Sequence, residues 1–192
     1  RFNKNLWTGR VDVEDGEDGK RWHEKIEDIA CPYEKTKGIV FLGFECDIGV
    51  KRNKGRTGAK DAGDILKKSM GSLAYHLSNE KLYDAGKIVA NDDLDDSLKN
   101  LSKHVKSLIR NNHFPIVLGG GHETAYGSFM GLHKALNKKE DIAIINFDAH
   151  FDLRVNKQST SGTPFAQISD LCKKDETNFT YLCLGISESS NT

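Results

Sequence analysis

This sequence has no surplus of positive or negative charge and no long apolar run. Lys and Arg number 28 and Asp and Glu 28, so 192 residues carry a formal net charge of zero. That balance leaves no electrostatic footprint for nucleic acid or an anionic membrane surface. The longest apolar stretches, such as Ile142–Ile145, fall far short of a bilayer span. The N-terminal segment RFNKNLWTGR has no apolar signal core and does not begin with Met. Cysteine is sparse. Cys31, Cys46, Cys172 and Cys183 show no CxxC pairing, which suits free thiols in a cytoplasmic protein. Internal repeats and low-complexity segments are also missing.

What remains is a soluble, globular composition, 37% hydrophobic and 29% charged. After a polar, acidic stretch (Arg1–Tyr33, with a short helix expected over Gly19–Asp28), apolar runs alternate with amphipathic ones. Gly38–Phe44, Gly86–Ala90, Pro115–Leu118, Asp141–Phe147 and Phe179–Gly185 read as strands. Asp61–Leu77, Asp95–Asn111, Glu123–Leu136 and Thr163–Lys173 read as helices. In the first of these, Ile65, Leu66, Met70, Leu73, Ala74 and Leu77 share a face. Cys46–Thr57 reads as a loop. Strands apolar on both faces, alternating with helices, predict an α/β fold with a parallel sheet covered on both sides. In doubly wound sheets of this kind the ligand site lies beyond the carboxyl ends of the strands.

Two chemical motifs stand at such ends. Asp148–Ala149–His150–Phe151–Asp152 follows a strand, with Asp148, His150 and Asp152 at alternate positions. An extended backbone would send all three to one face. Carboxylates with imidazole suit Mn, Fe or Zn, and the lack of thiolate argues against a structural zinc site. Gly119–Gly120–Gly121–His122–Glu123 follows the preceding strand, and its glycines permit a sharp turn and a close approach. Adjacent parallel strands would bring His122 beside the other three. The competing readings are solvated polar residues and a plain turn. His23, His76, His104, His113 and His133 have no ligand spacing and read as surface or helix residues. Trp7 and Trp22 read as packing residues, and the run Asp12–Asp18 as a solvated segment.

The pair GGGHE and DAHFD resembles the ureohydrolase (arginase-like) family of arginases, agmatinases and formimidoylglutamases. The resemblance runs from NLWTGRVDVEDGEDG to LGISESSNT. It implies a three-layer α/β/α fold with a mostly parallel, doubly wound sheet, incomplete in this chain. It also implies two Mn2+ per complete subunit, with His122, Asp148, His150 and Asp152 as ligands. The family activates water on that metal pair to attack an amidine or guanidine carbon. Four protein ligands are few for two ions that each prefer about five or six donors. The family's later DxD motif has no match after Asp152, so residues 1–192 are expected to be a single domain truncated on its C-terminal side. Asp93 and Asp95 lie upstream and read as helix capping.

Within the family, three features resemble formimidoylglutamases. Arg154 follows the metal motif, where a guanidinium would suit an anionic substrate; a surface arginine is the competitor. The loop Gly49–Ala59 offers Arg52 and Arg56 for a second carboxylate, with a solvated basic loop as alternative. Ser161, Gly162 and Thr163 stand where the pocket would be lined, and a helix N-cap role for Ser161 or Thr163 competes. Phe165 falls where arginases place a proton-shuttling His. The implied reaction is hydrolysis of N-formimidoyl-L-glutamate to L-glutamate and formamide, a step of histidine breakdown. The rivals are another ureohydrolase, acting on agmatine or a guanidino acid, and a non-catalytic α/β binding module. Expected partners are a small anionic substrate, neither nucleic acid nor membrane, with a homo-oligomer left open.

Overall fold

The computed structural model describes residues 1–77, 80–138 and 140–191. Every strand pair in it is parallel, and strands alternate with helices, as an α/β fold requires. The chain divides into two compact units, which are described separately.

The first unit holds residues 1–47, 58–90 and 107–120. Its sheet orders four strands as β1-β3-β2-β4: β1 (Ile26–Asp28), β2 (Gly38–Glu45), β3 (Leu82–Val89) and β4 (His113–Leu118). From β2 the chain steps to β3 on one side and then returns to β4 on the other. That reversal is the topological switch of a doubly wound sheet, and the loops after β2 and β4 open beside it. β2 is buried almost throughout, as its unbroken apolar run demands. Phe41 packs between Trp7 and Trp22, each ring 5.5 Å away, and Leu6, Ile26, Leu82 and Leu118 complete that core.

Two expectations fail in this unit. The helix placed over Gly19–Asp28 shrinks to α1 (Trp22–Lys25), because Ile26–Asp28 pairs with β3 instead. The helix placed over Asp61–Leu77 is α3 (Ala62–Met70), and it presents a different face. Ile65, Leu66 and Leu73 are exposed, whereas Lys67 is buried at 1%. The cause is Asp84 on β3, fully buried and in need of a counter-charge. Lys67 Nζ donates to Asp84 Oδ1 at 2.6 Å and to the Gly86 carbonyl at 2.8 Å. Trp7 Nε1 donates to the other carboxylate oxygen at 2.7 Å. A hydrogen-bonded ion pair thus outweighs two aliphatic side chains in setting the helix face. Of the histidines read as surface or helix residues, His23 lies on α1 and is buried against the Gly71 carbonyl, whereas His113 is neither: it opens β4, buried against the Glu34 carbonyl.

The second unit holds residues 48–57, 91–106 and 121–192. The loop expected over Cys46–Thr57 contains a short helix, α2 (Ile48–Arg52). α4 (Leu94–Arg110) buries Leu94, Leu98, Leu101 and Val105, each contributing about 1.5–3 kcal/mol. Leu98 and Leu101 press on Gly127, and Val105 on Gly131, of α5 (Thr124–Ala135). His133 is a helix residue, on α5, and is buried, its Nε2 3.1 Å from Asp175. β5 (Ile142–Phe147) and β6 (Phe179–Leu184) form a two-stranded sheet, with α6 (Pro164–Lys174) between them in sequence. On its inner face, Ile142, Ile144, Phe179 and Tyr181 pack with Phe129, Phe165, Ile168 and Cys172. On the other face Ile145, Phe147, Leu182 and Leu184 are exposed. The tail carries one helical turn, Glu188–Ser190, and Thr192 lies outside the described residues.

Candidate metal centre

Three of the four expected ligands converge. Donor atoms of His122, Asp148 and Asp152 lie within 4.8 Å of one another. His122 Nδ1 stands 2.7 Å from Asp152 Oδ2 and 3.1 Å from Asp148 Oδ2. The Asp152 hydrogen bond holds the His122 imidazole above its ordinary pKa; desolvation opposes this, and the charges of Asp152 and Asp148 add to it. Imidazole nitrogen with two carboxylates is a donor set that fits Mn2+.

His150 does not join this cluster. Its side chain is 54% exposed, with Nδ1 3.5 Å from Asp148 Oδ1. Asp148 therefore turns one oxygen to His122 and the other to His150.

The route to convergence differs from simple strand alternation. Residues 148–152 form no strand, and the His150 N–H closes a turn by donating to Asp148 Oδ1 at 3.0 Å. Asp152 adopts the left-handed conformation (φ 46°), which swings its carboxylate back toward His122. The idea of adjacent strands also needs correction, since β4 and β5 belong to separate sheets. His122 is delivered by the glycine turn, with Gly119 and Gly120 at φ 86° and 74°. A side chain at Gly121 would collide with Glu123 and Val50. Phe165 closes the back of the site, edge-on to the His122 ring at 5.2 Å.

A cavity of about 350 Å³ adjoins the site, lined among others by Asn53, His150, Asp152 and Arg154. Arg154 Nη1 donates to Asn53 Oδ1 at 3.3 Å, so the basic loop and the metal motif meet here. Asn53 was passed over in the sequence, although its place in the basic loop was a signal. Arg52 lies outside the lining and donates to the Ser159 carbonyl at 3.1 Å. Arg56 is exposed and also outside it. Ser161, Gly162 and Thr163, expected to line the pocket, are outside the lining as well. Ser161 N–H donates to the Gly49 carbonyl at 3.1 Å, and Arg154 N–H to the Gly162 carbonyl at 3.0 Å. Thr163 is the N-cap residue of α6 but makes no side-chain cap bond; its hydroxyl donates to Gln167 Oε1 at 2.9 Å. Buried Glu123 accepts the Gly49 N–H at 3.2 Å, which ties the α2 loop to the GGGHE turn.

An α/β fold with a His–Asp–Asp cradle after the glycine turn defines a class, and comparison with known proteins agrees: residues 37–192 match the arginase family, to which the chain belongs. Among its relatives, the formimidoylglutamase of Chromobacterium violaceum is 49% identical over 188 residues, covering 97% of this chain and 60% of that protein. The formimidoylglutamase of Aeromonas hydrophila is 46% identical over 189 residues, with the same coverage. The chain thus spans about 60% of the length of these curated relatives. Among solved structures, Trypanosoma cruzi formiminoglutamase with Mn2+ superposes with a TM-score of 0.73 at 29% identity, over 83% of this chain and 56% of that one. Formimidoylglutamase from Bacillus subtilis gives a TM-score of 0.74 at 22% identity, over 90% and 55%, a likeness of fold.

Proposed function

We propose that this chain supplies much of the active site of a Mn2+-dependent, cytoplasmic formimidoylglutamase, which hydrolyses N-formimidoyl-L-glutamate to L-glutamate and formamide. The observation that carries the reading is the convergence of His122, Asp148 and Asp152 beside an arginine-lined cavity, in a chain whose relatives bear that name. Four cysteines without a disulfide suit the cytoplasm. Among the described residues no helix is long and apolar enough to cross a membrane.

His122, Asp148, His150 and Asp152 would hold the two ions, and the first, second and fourth of these already converge. The chemistry that bound Mn2+ supplies is water acidified enough to act as a nucleophile near neutral pH. Arg154, beside His150 and Asp152 in the cavity wall, offers its guanidinium to a substrate carboxylate. Asn53 orients that guanidinium through its amide oxygen. Arg52 and Arg56 stand outside the cavity lining and take no part in this assignment. Ser161 and Gly162 support the wall through the backbone bonds described above, and Thr163 follows them at the start of α6. A cationic substrate tail would meet repulsion at Arg154, which favours formimidoylglutamate over agmatine.

The full-length protein, loaded with Mn2+ and assayed against formimidoylglutamate, arginine and agmatine, should release formamide from the first and leave the others intact. Turnover of arginine or agmatine, or of none of the three, would overturn the assignment.

A further inference from the structure

One aromatic residue outside both motifs bonds to the DAHFD loop directly and reaches His122 through Phe165. Tyr181 lies on β6, opposite Ile144 of β5 and facing α6. Its ring stacks on Phe165 with centroids 4.4 Å apart, and Phe165 in turn stands edge-on to His122 at 5.2 Å. Its hydroxyl donates to the carbonyl of Phe151, between His150 and Asp152, at 2.9 Å. The same hydroxyl accepts from Asn146 Nδ2 at 3.1 Å, and Asn146 is buried. Two residues further along β6, Cys183 Sγ lies 3.4 Å from the His150 carbonyl and 3.7 Å from that of Asp148. The inner face of the β5–β6 sheet therefore ends in a polar tier that grips the backbone of the DAHFD loop.

We propose that Tyr181 is the positioning residue of the metal cradle: its ring backs His122 through Phe165, and its hydroxyl fixes the carbonyl between His150 and Asp152. Groups behind metal ligands set ligand orientation, and their loss weakens metal binding without removing a donor. An edge-on aromatic limits rotation of the imidazole, and an anchored carbonyl limits the hinge of a loop that already holds Asp152 in a left-handed conformation. The inference rests on the metal-site reading above.

The test is a Mn2+ titration of the full-length protein, following the free-ion signal by electron paramagnetic resonance, with the melting temperature of the metal-free form measured alongside. Tyr181→Phe keeps the stack and removes the hydroxyl. It should weaken Mn2+ binding about tenfold, broaden the bound-ion spectrum and leave the melting temperature within a few degrees. Tyr181→Leu removes both contacts and should weaken binding about a hundredfold, with a clear drop in melting temperature. Asp148→Asn is the control that addresses the site itself. If Asp148→Asn abolishes binding while Tyr181→Phe binds as the parent does, the Tyr181 role is wrong and the metal site stands. If Tyr181→Phe melts as early as Tyr181→Leu, its effect is structural and the positioning role is also wrong. If Asp148→Asn binds Mn2+ as tightly as the parent, the metal-site reading fails and this inference fails with it.

Discussion

The two sheets are built from similar strands and end in different surroundings. β2 (GIVFLGFE) and β5 (IAIINF) are each apolar but for one residue, Glu45 and Asn146. β2 lies between neighbours in a four-stranded sheet and is buried on both faces. β5 pairs only with β6 among the described strands, and its residues alternate between half-buried and exposed until Asn146. Composition alone does not separate a strand with two covered faces from one with a single covered face. The second sheet keeps its organisation on the inner side, where packing and the polar tier support the ligand loop. The first sheet concentrates on Phe41 and on the Lys67–Asp84 pair.

Substitutions can break or sharpen this contrast. The largest stability effect is expected in the first sheet. Phe41→Ala should cost about 3–5 kcal/mol, read as a fall in denaturation midpoint at unchanged slope. A loss below about 1 kcal/mol would mean that this core is not where stability resides. In the second unit the strongest effect should fall on function. Asp148→Asn should weaken Mn2+ binding by more than about 100-fold, above the range for groups behind the ligands, while the denaturation midpoint of the metal-free protein holds. Arg154→Ala should lose roughly 1.5–3 kcal/mol of transition-state stabilisation for formimidoylglutamate, with Mn2+ content unchanged. Equal kcat/KM in variant and parent would return Arg154 to the surface. The smallest effect is expected on the open face. Phe147 is 81% exposed, and Phe147→Ser in residues 1–192 should shift stability by less than about 0.5 kcal/mol. A penalty approaching that of Phe41→Ala would show that this face is covered in solution, and the contrast between the sheets would vanish.

The parts of the fold visible in the sequence are those set by local pattern. Four of the five expected strands hold their positions within a few residues, and the fifth, Gly86–Ala90, is the end of β3. The buried stripe of α4 also follows its spacing. What stayed hidden depended on partners distant along the chain. Nothing near Lys67 signals that Asp84 would draw it inward past Ile65 and Leu66. β1 is three residues whose strand character comes from pairing with β3, over fifty residues later. In the site, the convergence of His122, Asp148 and Asp152 was legible in residue type and spacing, but the separation of His150 was not. Alternation assumes an extended backbone, and the Asp148 turn with the left-handed Asp152 replaces it. Tyr181 carries no motif, and its contacts exist only once β6 lies against β5.

The backbone of Asp152 has a further consequence for how this position can vary. At φ 46° the side-chain alphabet is restricted before any chemistry is considered. Glycine enters this region freely, Asn and Asp enter it with modest cost, and branched or bulky residues are strongly disfavoured. Of the residues that fit, only Asp brings a full negative charge. Even Glu, with the same carboxylate one methylene further out, would meet a conformational penalty there. Substitutions that abolish the charge but respect the turn should therefore fold readily and fail quietly. A drift through Asn could silence the centre while leaving the loop, the turn and the surrounding packing in place.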